Sequence, residues 1–173
     1  MIGAACYHMD GSKNRMDELL TSGFQSIAPA DFAIRLLCAL FAGGLLGLDR
    51  EMRHRKVGIR TYMLVALGAA GFSILTIEFS AALAATDIAS DPTRIVQGLI
   101  GAIGFLGAGA IIQGDERVGG MATAASLWVA GAVGMAAGLG YYVHALVIAT
   151  LAALVLAMSR FMSNRGSVDH PDD

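Results

Sequence analysis

Charge is what this sequence has least of. Asp, Glu, Lys and Arg together make up 15% of its residues, against roughly 25% in soluble domains, and the mean hydropathy is +0.62. That scarcity excludes a water-soluble globular protein and leaves an integral membrane protein. The formal net charge is -2, so no global field attracts nucleic acid. Of the two cysteines, Cys6 lies in the polar start of the chain and Cys38 in an apolar run. A disulfide between them is not expected, and with no CxxC or Cys/His spacing a metal centre is not expected either. No nucleophile–base pair, phosphate loop or Glu-x-x-His motif occurs. The expectation is therefore a protein without catalytic, cofactor-binding or metal-binding residues, not an enzyme. No apolar stretch precedes Asp31, so no cleavable signal peptide is read. Met1 to Ser12 reads as an extra tail, with Met9 and Met16 as alternative starts.

What the chain does have is five apolar segments: Phe32 to Leu48, Tyr62 to Phe79 with an extension to Ala85, Ile95 to Ile112, Ala122 to Leu139, and Tyr142 to Met158. Each approaches the roughly 17–25 residues that a helix needs to cross the hydrocarbon. In lipid each run must satisfy its backbone polar groups internally, which makes it helical. A membrane barrel would show alternating segments of about ten residues, and these runs are apolar all round. The fold class expected is all-α, a bundle of about five transmembrane helices. Residues 1–30 form a polar tail in which Asp10 to Leu20 is read either as a short interfacial helix or as disordered. Residues 31–160 form the membrane domain, and 161–173 a disordered cytoplasmic tail.

The stretch Asp49 to Thr61, DREMRHRKVGIRT, carries Arg50, Arg53, Arg55, Lys56 and Arg60 against Asp49 and Glu51. Short basic loops stay on the cytoplasmic side. With Arg117, Arg160 and Arg165 on the same side, the bias predicts an outside N-terminus and a cytoplasmic C-terminus. Asp49, Arg50, Glu51 and Arg60 form a candidate network at the cytoplasmic mouth, with Thr61 beside it and Thr123 and Ser126 nearby on the fourth helix. Two readings stand: a site for an ion, a phosphate or a partner protein, and a solvated basic loop that sets topology and touches anionic headgroups. Arg35 and Glu78, both placed near the outer face, either pair with each other or snorkel separately.

Glycine is abundant, 22 residues, where the usual share is about 7%. Gly43/Gly47, Gly134/Gly138 and Gly104/Ala108 are small pairs four apart, with Gly107 on the same segment as Gly104. Such pairs let helices approach closely. The spacing is compatible with static packing, a dimer seam or a sliding interface. Gly138 and Gly140 are read as breakers of an outer hairpin.

Three stretches then carry a resemblance: GGLLGLDREMRHRKVGIRTYMLVALGAAGF from Gly43, GLIGAIGFLGAGAII from Gly98 and VGGMATAASLWVAGAVGMAAGLG from Val118. In order and spacing they resemble the MgtC/SapB family of bacterial inner-membrane proteins. The family's motif residues fall on Gly47, Asp49, Arg50, Glu51, Gly58, Arg60 and Thr61, then on Gly104, Gly107, Gly109, Gly120, Thr123, Ala124, Ala125 and Trp128. Asp49 stands where the family usually has glutamate. Gly119, Ala122 and Val129 also depart from its pattern, and the soluble C-terminal domain of some members has no counterpart. The resemblance implies a non-enzymatic inner-membrane protein in contact with the bilayer. It would modulate other membrane proteins, the F-type ATP synthase among them, in adaptation to magnesium limitation or ionic stress, with a virulence association in relatives. The alternative is an oligomeric ion transporter or channel, related to magnesium, and a homo-oligomer is among the assemblies expected.

Overall fold

The computed structural model describes residues 26–52, 57–84, 91–112 and 119–163, with the side chains of 49, 84, 112 and 159–163 outside the description. Five helices make up the described chain: α1 (Pro29–Met52), α2 (Ile59–Ala84), α3 (Thr93–Ile112), α4 (Met121–Gly138) and α5 (Tyr142–Ser163). They lie where the apolar runs predict them, each extended at one or both ends by the polar or terminal residues that a hydropathy reading leaves out. Four are long and apolar enough to cross a membrane. The described apolar stretch of α5, Tyr142–Met158, is shorter. The segment Asp10 to Leu20, read either as an interfacial helix or as disordered, the basic residues Arg53, Arg55, Lys56 and Arg117, and the tail beyond 163 lie outside the described residues.

Helix α4 is the hub. It packs against each of the other four helices, while α1 also pairs with α2 and α5. Half of the apolar window of α4 is buried, against 11% for α3, which leans only on α4 and the flank of α2. The core explains this arrangement. It consists of Ala39, Ala42, Leu46, Tyr62, Ala66, Ala70, Leu127, Ala130, Val133, Ala137, Ala145 and Ala149. Alanine dominates, so helix backbones rather than long side chains set the spacing, as expected where van der Waals contact drives association in lipid.

Glycines bring the backbones closer still. A Cβ at Gly43 would stand 2.8 Å from both the Ala66 Cβ and the Tyr62 carbonyl oxygen, and one at Gly47 would stand 2.5 Å from the Ile59 Cα. Gly134 abuts the Ala66 carbonyl in the same way. Gly43, Gly47, Gly134 and Gly138 thus seal α1 and α4 onto α2. Gly107 meets Ala124 at ordinary contact distance, 3.6 Å to its Cβ. Gly104, expected as a packing residue, has nothing within 4 Å of an added Cβ, and neither do Gly98, Gly101 and Gly109.

The turn between α4 and α5 ends α4 with two characteristic bonds. Tyr141 N–H donates to the Ala136 carbonyl at 2.8 Å and Gly140 N–H to the Ala137 carbonyl at 3.0 Å. Gly140 has φ 86°, the left-handed conformation that closes a Schellman motif and that glycine adopts without penalty. Gly138 is no breaker: it is helical and packs against α2. The start of α3 is built by Asp91, whose Oδ1 accepts from Thr93 N–H at 3.0 Å and from Thr93 Oγ1 at 2.6 Å. Asp as the capping residue, followed by Pro92 just before the helix, is a favoured start.

Candidate functional site

Along α1 the buried positions are Ala39, Ala42, Gly43, Gly44, Leu46, Gly47 and Arg50, and 39, 42/43, 46/47 and 50 step by three and four along one helical face. Arg50 therefore continues the packed stripe into the bundle and is only 6% exposed. Its Nη2 donates to the Ala122 carbonyl at 2.8 Å and to Ser126 Oγ at 3.2 Å, and Nη1 reaches Thr123 Oγ1 at 3.4 Å. All three acceptors belong to the first two turns of α4, and all are neutral. Nε is buried with no hydrogen-bond partner.

Ser126 is the node. Its Oγ donates to the Ala122 carbonyl at 2.8 Å, accepts from Arg50, and makes a short bond to the Tyr62 hydroxyl. A hydroxyl has one proton and two lone pairs, so with Tyr62 as donor Ser126 is saturated. Tyr62 is fully buried. Three helices, α1, α2 and α4, are pinned through one oxygen.

The remaining candidates divide. Glu51 is exposed and turns to α2: its Oε2 accepts from Ile59 N–H at 3.1 Å, putting a carboxylate on the positive end of that helix. Gly58 leaves room for this, since a Cβ there would overlap Oε2. Arg60 and Thr61 are exposed on the first turn of α2, away from the buried face that Tyr62 occupies. The side chain of Asp49 lies outside the described residues. Of the expected cluster, the structure brings together Arg50 and Thr123. Ser126 was legible in the sequence as a neighbour of Thr123. Tyr62 was not. An interfacial tyrosine beside a basic loop reads as a headgroup anchor, and only the phase of α2, with Ala66 and Ala70 buried below it, signals that it points inward.

At the opposite end of the bundle Arg35 and Glu78, read from the sequence as either paired or snorkelling separately, have two separate sets of protein partners. Arg35 Nη2 pairs with Asp31 Oδ2 at 2.6 Å, and Nη1 donates to the Gly138 carbonyl at 2.9 Å. Asp31 Oδ1 also accepts from the Tyr142 hydroxyl at 2.7 Å. Asp31 wins because it sits four residues before Arg35 on the same helix, the spacing at which side chains meet. The α4 carbonyl terminus adds a partial negative charge. Glu78 instead accepts from Ser26 N–H at 3.1 Å and Ile27 N–H at 2.8 Å, holding the segment that leads into α1.

The middle of the bundle offers little polarity. The buried polar residues among those described are Arg50, Ser73, Thr76 and Ser126. Ser73 and Thr76 return their hydroxyls to the carbonyls of Ala69 and Phe72 in their own helix. Among the described residues no three His, Cys, Asp or Glu side chains gather in metal-binding geometry. A groove of about 350 Å³ runs along α4 between α3 and α5, lined by Ile103, Trp128, Met135, Leu139, Tyr141 and His144, with few polar atoms.

Comparison with known proteins places these features in a family. The MgtC family model matches residues 36–165, which takes in the Arg50 site, most of α1 and all of α2 to α5. The chain is 37% identical over 128 residues to "Putative magnesium transporter YhiD" of Escherichia coli (strain K12), covering 73% of this chain and 60% of that protein. It is 41% identical over 131 residues to Protein MgtC of Brucella abortus (strain 2308), covering 76% and 52%. To Protein MgtC of Salmonella typhimurium (strain 14028s / SGSC 2262) it is 38% identical over 115 residues, covering 66% and 46%. The chain thus spans about half to three-fifths of the length of these relatives. No solved structure matches it. With the family model covering most of the chain and the helices long enough to span a bilayer, this multi-pass bacterial membrane protein belongs to the MgtC family.

Proposed function

We propose that this chain is a regulatory protein of the bacterial inner membrane, not an enzyme, that modulates other membrane proteins by helix-to-helix contact during adaptation to magnesium limitation. The observation that carries the reading is the bare face of α3. Gly98, Gly101, Gly104 and Ala108 share that face and are exposed, and its three glycines have no neighbour within 4 Å of an added Cβ. In α1 and α4 the same small-residue spacing is consumed by internal packing. On α3 it is available to a transmembrane helix from outside the bundle, whether of a partner such as the F-type ATP synthase, which the family resemblance suggests, or of a second copy. The basic loop is taken to face the cytoplasm, where it meets anionic lipid or the partner's polar segments.

Magnesium transport is the competing reading, and the printed name of the YhiD relative favours it. A dication crossing the bundle needs polar ligands along the span. The buried Ser73 and Thr76 hydroxyls are bonded to their own helix, and a guanidinium sits at one mouth. Two experiments separate the readings. A photo-crosslinking residue at Gly104 is expected to capture a defined membrane partner or a second copy, and one at Gly134 is not. Purified protein in liposomes is expected to show no saturable magnesium flux. Flux abolished by changing Asp49 or Arg60 would overturn the regulatory reading.

A further inference from the structure

The two helices that begin beside the basic segment are finished differently. The N-terminus of α2 receives the Glu51 carboxylate. That of α4 receives a guanidinium and, among the described residues, no carboxylate. Its cap is Gly120, with φ 87° and no side-chain hydrogen bond to the first turn. A capping side chain cannot be installed there, because a Cβ on Gly120 would overlap the Ala110 carbonyl oxygen and the backbone is left-handed. The first N–H groups of α4 and the Arg50 guanidinium, which bonds to the Ala122 carbonyl, therefore both contribute positive potential at the start of that helix. The Arg35–Asp31 ion pair lies at the other end of the bundle. An uncompensated buried cation costs several kcal/mol, and Arg50, 6% exposed with Nε unpartnered, has neutral oxygens as its hydrogen-bond acceptors among the described residues. Gly119, Gly120, Met121 and Ala122 are exposed, so no other part of the described bundle covers the helix end, while the guanidinium lies behind its first two turns.

We infer that Arg50, the Thr123 hydroxyl and the first-turn N–H groups of α4 form a binding site for a phosphate-class oxyanion. Backbone N–H groups at a helix start together with a guanidinium are a recurrent way of holding such a group. The same chemistry fits a phospholipid headgroup phosphate and free inorganic phosphate. The site is independent of the α3 face, and neither requires the other.

The test uses the full chain in nanodiscs, with fluorescence of its single tryptophan, Trp128, following thermal unfolding. In neutral phosphatidylcholine discs inorganic phosphate is titrated. In a second arm phosphatidylglycerol replaces part of the lipid without added phosphate. Saturable stabilisation in the first arm identifies a free anion, and stabilisation in the second alone identifies a headgroup. Arg50→Gln is expected to lower the affinity at least a hundredfold, and Thr123→Val about tenfold, since one hydrogen bond to a charged group is worth roughly 1.5–3 kcal/mol. Arg60→Gln, which removes an exposed cation, is expected to change neither arm more than twofold. Should Arg50→Gln fail to fold, Thr123→Val and the 15N shift of the buried Arg Nε in the unmodified chain, which is expected to move on titration, still decide. No stabilisation in either arm, or equal stabilisation of the wild type, Thr123→Val and Arg50→Gln, would overturn the site.

Discussion

Gly138 lies directly on the backbone of Ala70: a Cβ added to the glycine would stand 2.5 Å from the Ala70 carbonyl oxygen and 2.9 Å from the Ser73 Cβ. Nothing at that contact is the end of a flexible side chain, so α4 would have to move off α2 to admit a methyl group. Gly138→Ala is expected to destabilise the bundle by about 1–3 kcal/mol, the range for overpacking, and Gly134→Ala by a similar amount. Gly101→Ala and Gly104→Ala, on the open face of α3, are expected to leave stability unchanged or raise it by up to about 1 kcal/mol through helix propensity. Unfolding in mixed micelles measures all four.

The Ser126 node makes a second, graded expectation. Tyr62→Phe removes one hydroxyl and leaves Ser126 with its other bonds, a loss of about 1 kcal/mol. Ser126→Ala leaves the Tyr62 hydroxyl and an Arg50 N–H buried without an acceptor and is expected to cost about 2–4 kcal/mol, since unsatisfied buried groups carry their full desolvation penalty. The double variant is expected to be less destabilising than the sum, because both changes act on one network.

Charge reversal distinguishes the actual partner of Arg35. Exchanging Asp31 and Arg35 as a pair is expected to recover part of the stability lost by either single reversal. Exchanging Arg35 and Glu78 is expected to recover none, because Glu78 is committed to the N–H groups of Ser26 and Ile27. Folded yield after membrane extraction is a sufficient measure.

Asp91 supplies the pH dependence. The Thr93 hydroxyl, and then its N–H, hold the Asp91 carboxyl below its ordinary value of 3.8. A depressed folded-state pKa means that the cap is fully present above the unfolded value and is lost as pH falls through the folded one. The Thr93 amide nitrogen shift is therefore expected to titrate at a pH below 3.8, reporting fraying of the start of α3. Asp91→Asn keeps an acceptor without a charge and is expected to abolish that titration while keeping the helix start.

Much of this protein was legible in one dimension. Lipid offers backbone groups no hydrogen-bond partner, so long apolar runs must be helices wherever they pack, and their number and approximate limits follow from hydropathy alone. The Gly43/Gly47 and Gly134/Gly138 spacings marked real contacts because the period of a helix is local information. Which stripe meets which is not local. Gly104 has the same spacing as Gly43 and finds no neighbour inside the bundle. Arg50 was visible as a charge beside a basic loop, but its burial, its acceptors on α4 and its junction with Tyr62 depend on how α1, α2 and α4 cross. Arg35 and Glu78 share an end of the bundle yet bind different partners, because an acid four residues away and two free N–H groups lie nearer than each other's charge. Composition determined the solvent, and with it the helices. Only the packing of those helices decided which polar groups were left to satisfy one another, because that depends on distances between residues far apart in the chain.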